Sequence, residues 1–205
     1  MVTGTDNTIK VWDILIRGFH WILVISFFTA YLSEDDFLDI HIYAGYLIAG
    51  LLVFRLIWGF IGSHYARFSD FIYSPRVVID YTKSLLSTEK PKRYIGHNPA
   101  GGLMIVLLLL SLFITTVSGL VMDDEIESVN SNETNSSMVY FDADDEDKYE
   151  SDLYEVMEEV HEFFANLTLL LVFLHVAGVI VSGKLHDENL VRAMITGKKT
   201  LEKDE

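Results

Sequence analysis

Residues 161–183 have the sequence HEFFANLTLLLVFLHVAGVIVSG, and this stretch decides the fold. Its apolar residues do not alternate with polar ones as they would in a barrel strand. A helix of about 20 such residues crosses a hydrocarbon core of about 30 Å. Comparable runs occupy residues 14–32, 37–62 and 100–122. The sequence therefore predicts an all-α fold, an integral membrane four-helix bundle, as a single domain over residues 1–205.

The charged residues give these four spans a direction. Lys and Arg are concentrated in the loop 63–99 and the tail 184–205, whereas the loop 123–162 holds sixteen acids and one base, Lys148. By the positive-inside rule the N- and C-termini are cytoplasmic, and the acidic loop between helices 3 and 4 is periplasmic. We therefore expect a multi-pass protein of the bacterial cytoplasmic (inner) membrane. Its partners include the lipid bilayer and no nucleic acid, and a homo-oligomer is left open.

Local patterns refine the connections between the spans. The second half of the acidic loop, 142–162, has apolar residues at helical spacing and is predicted to be an amphipathic helix that runs into the fourth span. The Asn/Ser-rich part, 128–137, is expected to be mobile. Ser74-Pro75 and Asn98-Pro99 are typical helix starts.

Four histidines lie within the apolar segments, and their depths form two pairs. His20 and His175, here called the inner pair, lie near the cytoplasmic face, and His41 and His161, the outer pair, lie near the other face. A histidine in a bilayer is costly unless it is bonded or coordinated, and imidazole is a common axial ligand of haem iron. Because the chain has no cysteine, covalent haem attachment is excluded. The pattern predicts two haem b groups with these histidines as axial ligands.

Helix geometry supports this pairing. Fourteen residues separate the two histidines of the fourth span. This corresponds to a rise of about 21 Å along the helix axis and to a rotation about 40° short of four whole turns. His161 and His175 therefore share one side of the helix, one near each end. Each of them can face a histidine from another span, so the fourth span would supply one ligand to each haem.

Other residues near the ligands suit a bulky cofactor with acidic substituents. Gly45 and Gly178 would give clearance for the haems, although small residues are also common at ordinary membrane helix contacts. Arg17 and Arg55 could bind the haem propionates, because the arginine fork pairs well with carboxylates. The competing interpretation is that these arginines extend to lipid phosphate.

Several motifs together resemble the prokaryotic cytochrome b561 family, which includes the b-type subunits of nickel-iron hydrogenases and stand-alone di-haem cytochromes. The motifs are Arg17-Gly-Phe-His20-Trp21, the His41 to Gly45 spacing with Arg55-Leu-Ile-Trp58-Gly59, His97-Asn-Pro-Ala-Gly-Gly102, and His186-x-Glu-Asn-Leu-Val-x-Ala-Met-Ile-Thr-Gly197-Lys. The resemblance implies the same four histidine ligands, two b haems, and electron exchange between the quinone pool and a redox partner.

The remaining histidines, His64, His97 and His186, are expected at the cytoplasmic interface. A solvated or helix-capping histidine is the simpler interpretation, but a quinone site near the inner haem would need a proton-exchanging group, and these three are the candidates.

The resulting prediction is transmembrane electron transfer between the quinone pool and a periplasmic partner, such as a basic c-type cytochrome that docks on the acidic loop. Alternatives are a hydrogenase-like complex, a quinone-linked superoxide oxidase, and a haem-free transporter or membrane anchor. The acidic exterior would repel superoxide, which disfavours that substrate.

Overall fold

The computed structural model describes residues 8–85, 92–135 and 144–200, with the side chains of residues 124–152 left out. Its helices are α1 (Ile14–Ser33), α2 (Leu38–Ile61), α3 (Phe68–Phe71), α4 (Pro75–Leu85), α5 (Pro99–Asn135), α6 (Asp144–Leu185) and α7 (Leu190–Thr196). A 3₁₀ turn covers His64–Ala66. Two short strands, β1 (Thr8–Lys10) and β2 (Lys198–Thr200), lie near the two ends of the chain.

Four of these helices are long and apolar enough to cross a membrane. Their spans are Ile14–Ser33, Leu38–Ile61, Pro99–Asp123 and Leu153–Leu185. Large apolar side chains on them are exposed, including Phe60 at 73% and Phe173 at 65%. Such surfaces are suited to lipid, which is as apolar as leucine. The predicted all-α membrane fold is confirmed.

The acidic segment between the third and fourth spans is helical over much of its length. The backbone of α5 continues to Asn135, and α6 already begins at Asp144. A helix that is already formed extends at little cost, because each added residue contributes a hydrogen bond. The expected mobility of residues 128–137 stays a prediction, and residues 136–143 lie outside the described residues. The predicted helix running into the fourth span is confirmed from Asp144 onward, and its amphipathic character stays a prediction.

Helix starts follow the sequence signals. α4 begins at Pro75 and α5 at Pro99, as predicted. The Asn98 side chain accepts a hydrogen bond from the Gly101 backbone N–H at 2.7 Å, which is the expected capping interaction. Asp13 caps α1 in the same way, accepting from the Ile16 N–H at 2.9 Å.

The chain divides into two compact units, each described here by itself. The first unit comprises Met1–Val24, Leu51–Leu108 and Leu171–Glu205; the second comprises Ile25–Gly50 and Leu109–Leu170. The first unit contains the inner histidine pair, and the second contains the outer pair. The prediction of one domain over residues 1–205 stays a prediction.

In the first unit, the two strands form an antiparallel ladder that the sequence analysis did not predict. Ile9 pairs with Lys199, and the backbone N–H groups of Val11 and Trp12 donate to the Gly197 carbonyl. Gly197 has φ 79°, the left-handed conformation that favours glycine. The ladder therefore joins the segment before α1 to the segment after α7.

Ion pairs and a hydrogen bond link β2 to the segments that precede α5 and α7. Glu188 forms ion pairs with Arg93 at 2.7 Å and with Lys199 at 3.0 Å. Arg93 also donates to the Thr200 carbonyl at 2.8 Å. Burial alone would raise the pKa of Glu188, but the hydrogen bonds and charges of Lys199 and Arg93 lower it below its usual value of 4.5.

Glu188→Gln should lower the free energy of unfolding by about 1–3 kcal/mol, because it leaves two cations without their anion. A pKa lowered by folding adds stability above the unfolded value and loses it as pH falls through the folded value. As the pH falls below about 4.5, the midpoint temperature of thermal unfolding should therefore decrease in the wild type. It should decrease less in the variant. Asp80→Asn on exposed α4 is the control. An equal acid dependence in Glu188→Gln and wild type would contradict this role.

Candidate functional site

The outer pair is brought together in the second unit. His41 lies near the start of α2 and His161 in α6, with ring centroids 5.8 Å apart and planes inclined by 60°. A metal–imidazole bond is about 2 Å long, as for zinc, so two nitrogens on one metal are about 4 Å apart and their ring centroids somewhat farther. The separation is the size expected for one metal atom between the rings.

Hydrogen bonds set the protonation of both imidazoles. The His41 Nδ1 lies 2.9 Å from the Ala30 carbonyl, which can only accept, so this nitrogen carries the proton. The Ser118 hydroxyl donates to the Ile114 carbonyl and lies 3.3 Å from the His161 Nδ1, from which it accepts. Both rings therefore have Nε2 free of a proton and available to a metal, and a bond from the other nitrogen is the usual support for a ligating histidine.

A glycine allows His161 its position. A Cβ on Gly119 would lie 2.9 Å from the His161 Cε1 and 3.1 Å from its Nδ1. Any larger residue would push the imidazole out of place. From the sequence, Gly119 is one of several small residues that could give clearance at a helix contact, and its contact with a predicted ligand gives it a more specific role.

A partly open cleft adjoins the outer pair. It is lined by both histidines, Gly45, Tyr31, Thr115 and Thr116, among others. A Cβ built on Gly45 meets no atom within 4 Å, and the same holds for Gly178 in the first unit. Both glycines border open space, as clearance for a cofactor requires, and their predicted role stays a prediction.

The inner pair belongs to the first unit, where His20 in α1 lies within electrostatic range of His175 in α6. The His20 Nδ1 is buried and has no hydrogen-bond partner. A buried imidazole nitrogen without a partner is costly, and a ligand would satisfy it.

Arg55 supplies a buried positive charge to the first unit. Its side chain is 3% exposed, and its Cζ lies 4.8 Å from the Phe68 ring centroid and 5.5 Å from that of Phe71. Its Nη1 is buried without a hydrogen-bond partner. Such a donor fits a carboxylate of a bound cofactor.

Arg17 has different partners. Its Nε donates to the Asp13 carbonyl at 3.4 Å, and its Nη1 donates to the Ile195 carbonyl. Arg17 is thus hydrogen-bonded to the backbone at Asp13, which follows β1, and at Ile195, which precedes β2. Its predicted contact with a haem propionate stays a prediction.

The three remaining histidines have different surroundings. The side chain of His64 is 77% exposed and lies 3.4 Å from the Asp70 carboxylate. Burial raises the pKa of Asp70, against the opposing effect of His64. His186 is half-buried, and its backbone N–H donates to the Ser182 carbonyl.

His97 is not the solvated histidine that the simpler interpretation expected. Its ring centroid lies 4.4 Å from that of Trp12 and 5.1 Å from that of Phe71. Desolvation lowers the pKa of His97 to about 3, and the positive charges of Arg55 and Lys199 contribute. The ring is therefore neutral at physiological pH.

Among the residues with described side chains, no group of three or more His, Asp or Glu is arranged to hold a metal ion. Haem needs only two protein ligands, because the porphyrin itself provides the other four nitrogens. The two histidine pairs, the free Nε2 atoms and the buried arginine fit such a group.

Apolar helices with histidine pairs inside them define the class: a multi-pass membrane protein with sites suited to haem. The comparisons with known proteins are specific. The family model described as prokaryotic cytochrome b561 matches residues 11–197. The chain belongs to the prokaryotic cytochrome b561 family, and it is a membrane cytochrome of b type.

Similar curated proteins carry the name probable Ni/Fe-hydrogenase B-type cytochrome subunit. One, from Rhizobium leguminosarum bv. viciae, is 26% identical over 148 residues, covering 58% of this chain and 61% of that protein. Another, from Azotobacter vinelandii, is 28% identical over 143 residues, covering 56% and 59%. The chain thus spans about three fifths of the length of these relatives. No solved structure matches it significantly.

Gly45→Leu should reduce the haem content of the purified protein by up to about twofold, because the side chain would fill the space beside the outer pair. Gly50→Leu is the matched control. Gly50 lies on the same helix, about 140° around the axis, and its Cβ also meets nothing within 4 Å. Haem per chain is measured from the alkaline pyridine spectrum. Equal haem in both variants would remove the clearance role of Gly45.

Proposed function

We propose that this protein is a di-haem b cytochrome that transfers electrons across the bacterial cytoplasmic membrane, between the quinone pool and a periplasmic redox partner. The observation that carries the proposal is the outer pair: two imidazoles with centroids 5.8 Å apart, each with its Nδ1 within hydrogen-bond distance of a protein oxygen. In the first unit, His20 lies within electrostatic range of His175, which supports a second site of the same kind.

In this proposal His41 and His161 hold the outer haem and His20 and His175 the inner haem. Haem supplies an iron that accepts and returns one electron. Two histidine ligands occupy both axial positions, so neither is open to a substrate, which favours electron transfer over chemistry at the iron. Gly45 and Gly178 leave room for the macrocycles, and Arg17 and Arg55 are the candidate partners of the propionates.

The orientation follows from the basic loop 63–99 and tail 184–205, which place both termini in the cytoplasm. The inner pair then faces the side where His64, His97 and His186 lie, and a quinone site is proposed there. The pKa of His97, lowered to about 3, makes it a hydrogen-bonding group and not a proton carrier. His64 and His186 remain the candidates for proton exchange.

Two redox partners are compatible with the acidic side. Glu155, Glu158 and Glu159 are exposed on α6, and a basic c-type cytochrome would be attracted to them. The names of the curated relatives favour a second candidate, in which this chain is the b-type subunit of a hydrogenase-like complex. In both cases the partner exchanges electrons with the outer haem.

Replacing His41 or His161 by Ala should remove about half of the haem, and replacing one histidine from each pair should remove nearly all of it. His64→Ala, at an exposed position, should keep the full content. The measurement is the dithionite-reduced minus oxidised spectrum, normalised to protein. Full haem content after replacement of all four histidines would refute the ligand assignment, and absence of haem in the wild type would favour a transporter or membrane anchor.

Replacing acidic residues of the loop 123–162 by neutral ones tests whether a basic partner docks there. Changing the five acids of 142–147 and Glu155, Glu158 and Glu159 to their amides should slow electron transfer to a basic c-type cytochrome about tenfold or more at low salt. The difference should vanish at high salt. A control variant neutralises Asp80 and Asp187, at the proposed cytoplasmic side, and should keep the wild-type rate. Unchanged stopped-flow rates at low salt would exclude docking on these acids and leave the hydrogenase-like complex as the preferred partner.

A further inference from the structure

Arg55 carries a buried charge that the described residues do not neutralise by an ion pair. Its side chain is 3% exposed, and its Nη1 has no hydrogen-bond partner. Asp13 contributes favourably through its charge, but its carboxylate already accepts hydrogen bonds from Ser63 and Trp58. A guanidinium in such a position is stable only with an additional anion.

A second unsatisfied nitrogen lies near the same Phe71 ring. The His97 Nδ1 is buried without a partner, and the His97 ring lies 5.1 Å from the Phe71 ring. Arg55 lies over the same ring at 5.5 Å. Phe71 is fully buried, so it fixes the positions of both nitrogen groups.

This cluster lies in the same compact unit as the inner pair. His175 influences both His97 and His20 electrostatically, and all these residues belong to the first unit. An acidic group of a cofactor held by His20 and His175 would therefore have a cation and a neutral N–H donor near it. The carboxylate substituents of haem b are its propionates.

We propose that Arg55 and His97 form one carboxylate-binding site and that its occupant is a propionate of the haem held by His20 and His175. This inference rests on the proposed function, because it requires a haem at the inner pair. Arg55 neutralises the propionate, and His97 donates a hydrogen bond to it. A quinone is disfavoured as the occupant because its neutral carbonyl would leave the buried charge of Arg55 uncompensated.

The test follows haem release from the full-length holoprotein to excess apomyoglobin, monitored in the Soret band. Arg55→Met and His97→Phe should each accelerate the release of one haem by about ten- to hundredfold, the effect of losing a hydrogen bond to a charged group. Arg55→Lys should be intermediate because it keeps the charge. Arg192→Met, at an exposed arginine, is the matched control and should release haem as the wild type does.

A second measurement separates propionate binding from damage to the fold. Membranes from haem-deficient cells that express the full chain are supplied with haem b or with its dimethyl ester. The wild type should load haem b preferentially at the inner pair, and Arg55→Met should lose that preference. A preference retained in the variant would overturn the proposal.

The remaining outcomes are distinguishable. Unchanged haem release in both variants, with slower reduction of the haem by a quinol, would overturn the proposal and assign the site to a quinone. A wild-type protein that contains no haem would instead refute the proposed function. Full haem loading with unchanged release and unchanged quinol reduction would refute only the Arg55–His97 site.

Discussion

A polar side chain in the hydrocarbon interior of a membrane is stable only with a partner, and this constraint governs the arrangement of the protein. Water cannot satisfy an imidazole or a guanidinium there, so each must find a carbonyl, a hydroxyl, an aromatic face or a ligand. The outer histidines obtain the Ala30 carbonyl and the Ser118 hydroxyl at Nδ1. Arg55 obtains the faces of Phe68 and Phe71 but keeps a free donor. The groups that remain unsatisfied mark the places where a cofactor would contribute to stability.

Much of the fold could be predicted because membrane spans depend on local composition. Runs of Leu, Ile, Val and Phe define the four long helices directly, and Asn98 and Pro99 define the start of α5. The helical backbone of residues 123–135 was not predicted, because composition there favours an irregular loop whereas helix extension depends on the turns already formed. The ladder between β1 and β2 was not predicted either, since three-residue strands far apart in sequence have no periodic signal.

The candidate sites were predictable to a similar degree. The expected depth of each histidine in the membrane predicted the two pairs. The structure brings His41 near His161 and places His20 within electrostatic range of His175. The enclosure of His97 could not be predicted, because Trp12 and Phe71 reach it only through the folded first unit. Gly119 likewise acquires its importance from a residue on another helix. The depth in the membrane that the sequence predicts for a residue indicates which polar groups need partners. Tertiary packing decides which partner each group receives.

The hydrogen bonds at the outer pair also bear on how charge would move there. The His41 and His161 Nδ1 protons are committed to acceptors within the protein, and neither imidazole has a described carboxylate bonded to that nitrogen. A ligand whose proton is fixed in this way does not gain or lose it when its metal changes oxidation state. The midpoint potential of a haem at this position would then be insensitive to pH as far as its ligands are concerned. In the proposed function, any proton uptake would then involve groups other than the ligands of the outer pair, and the outer pair would conduct electrons alone.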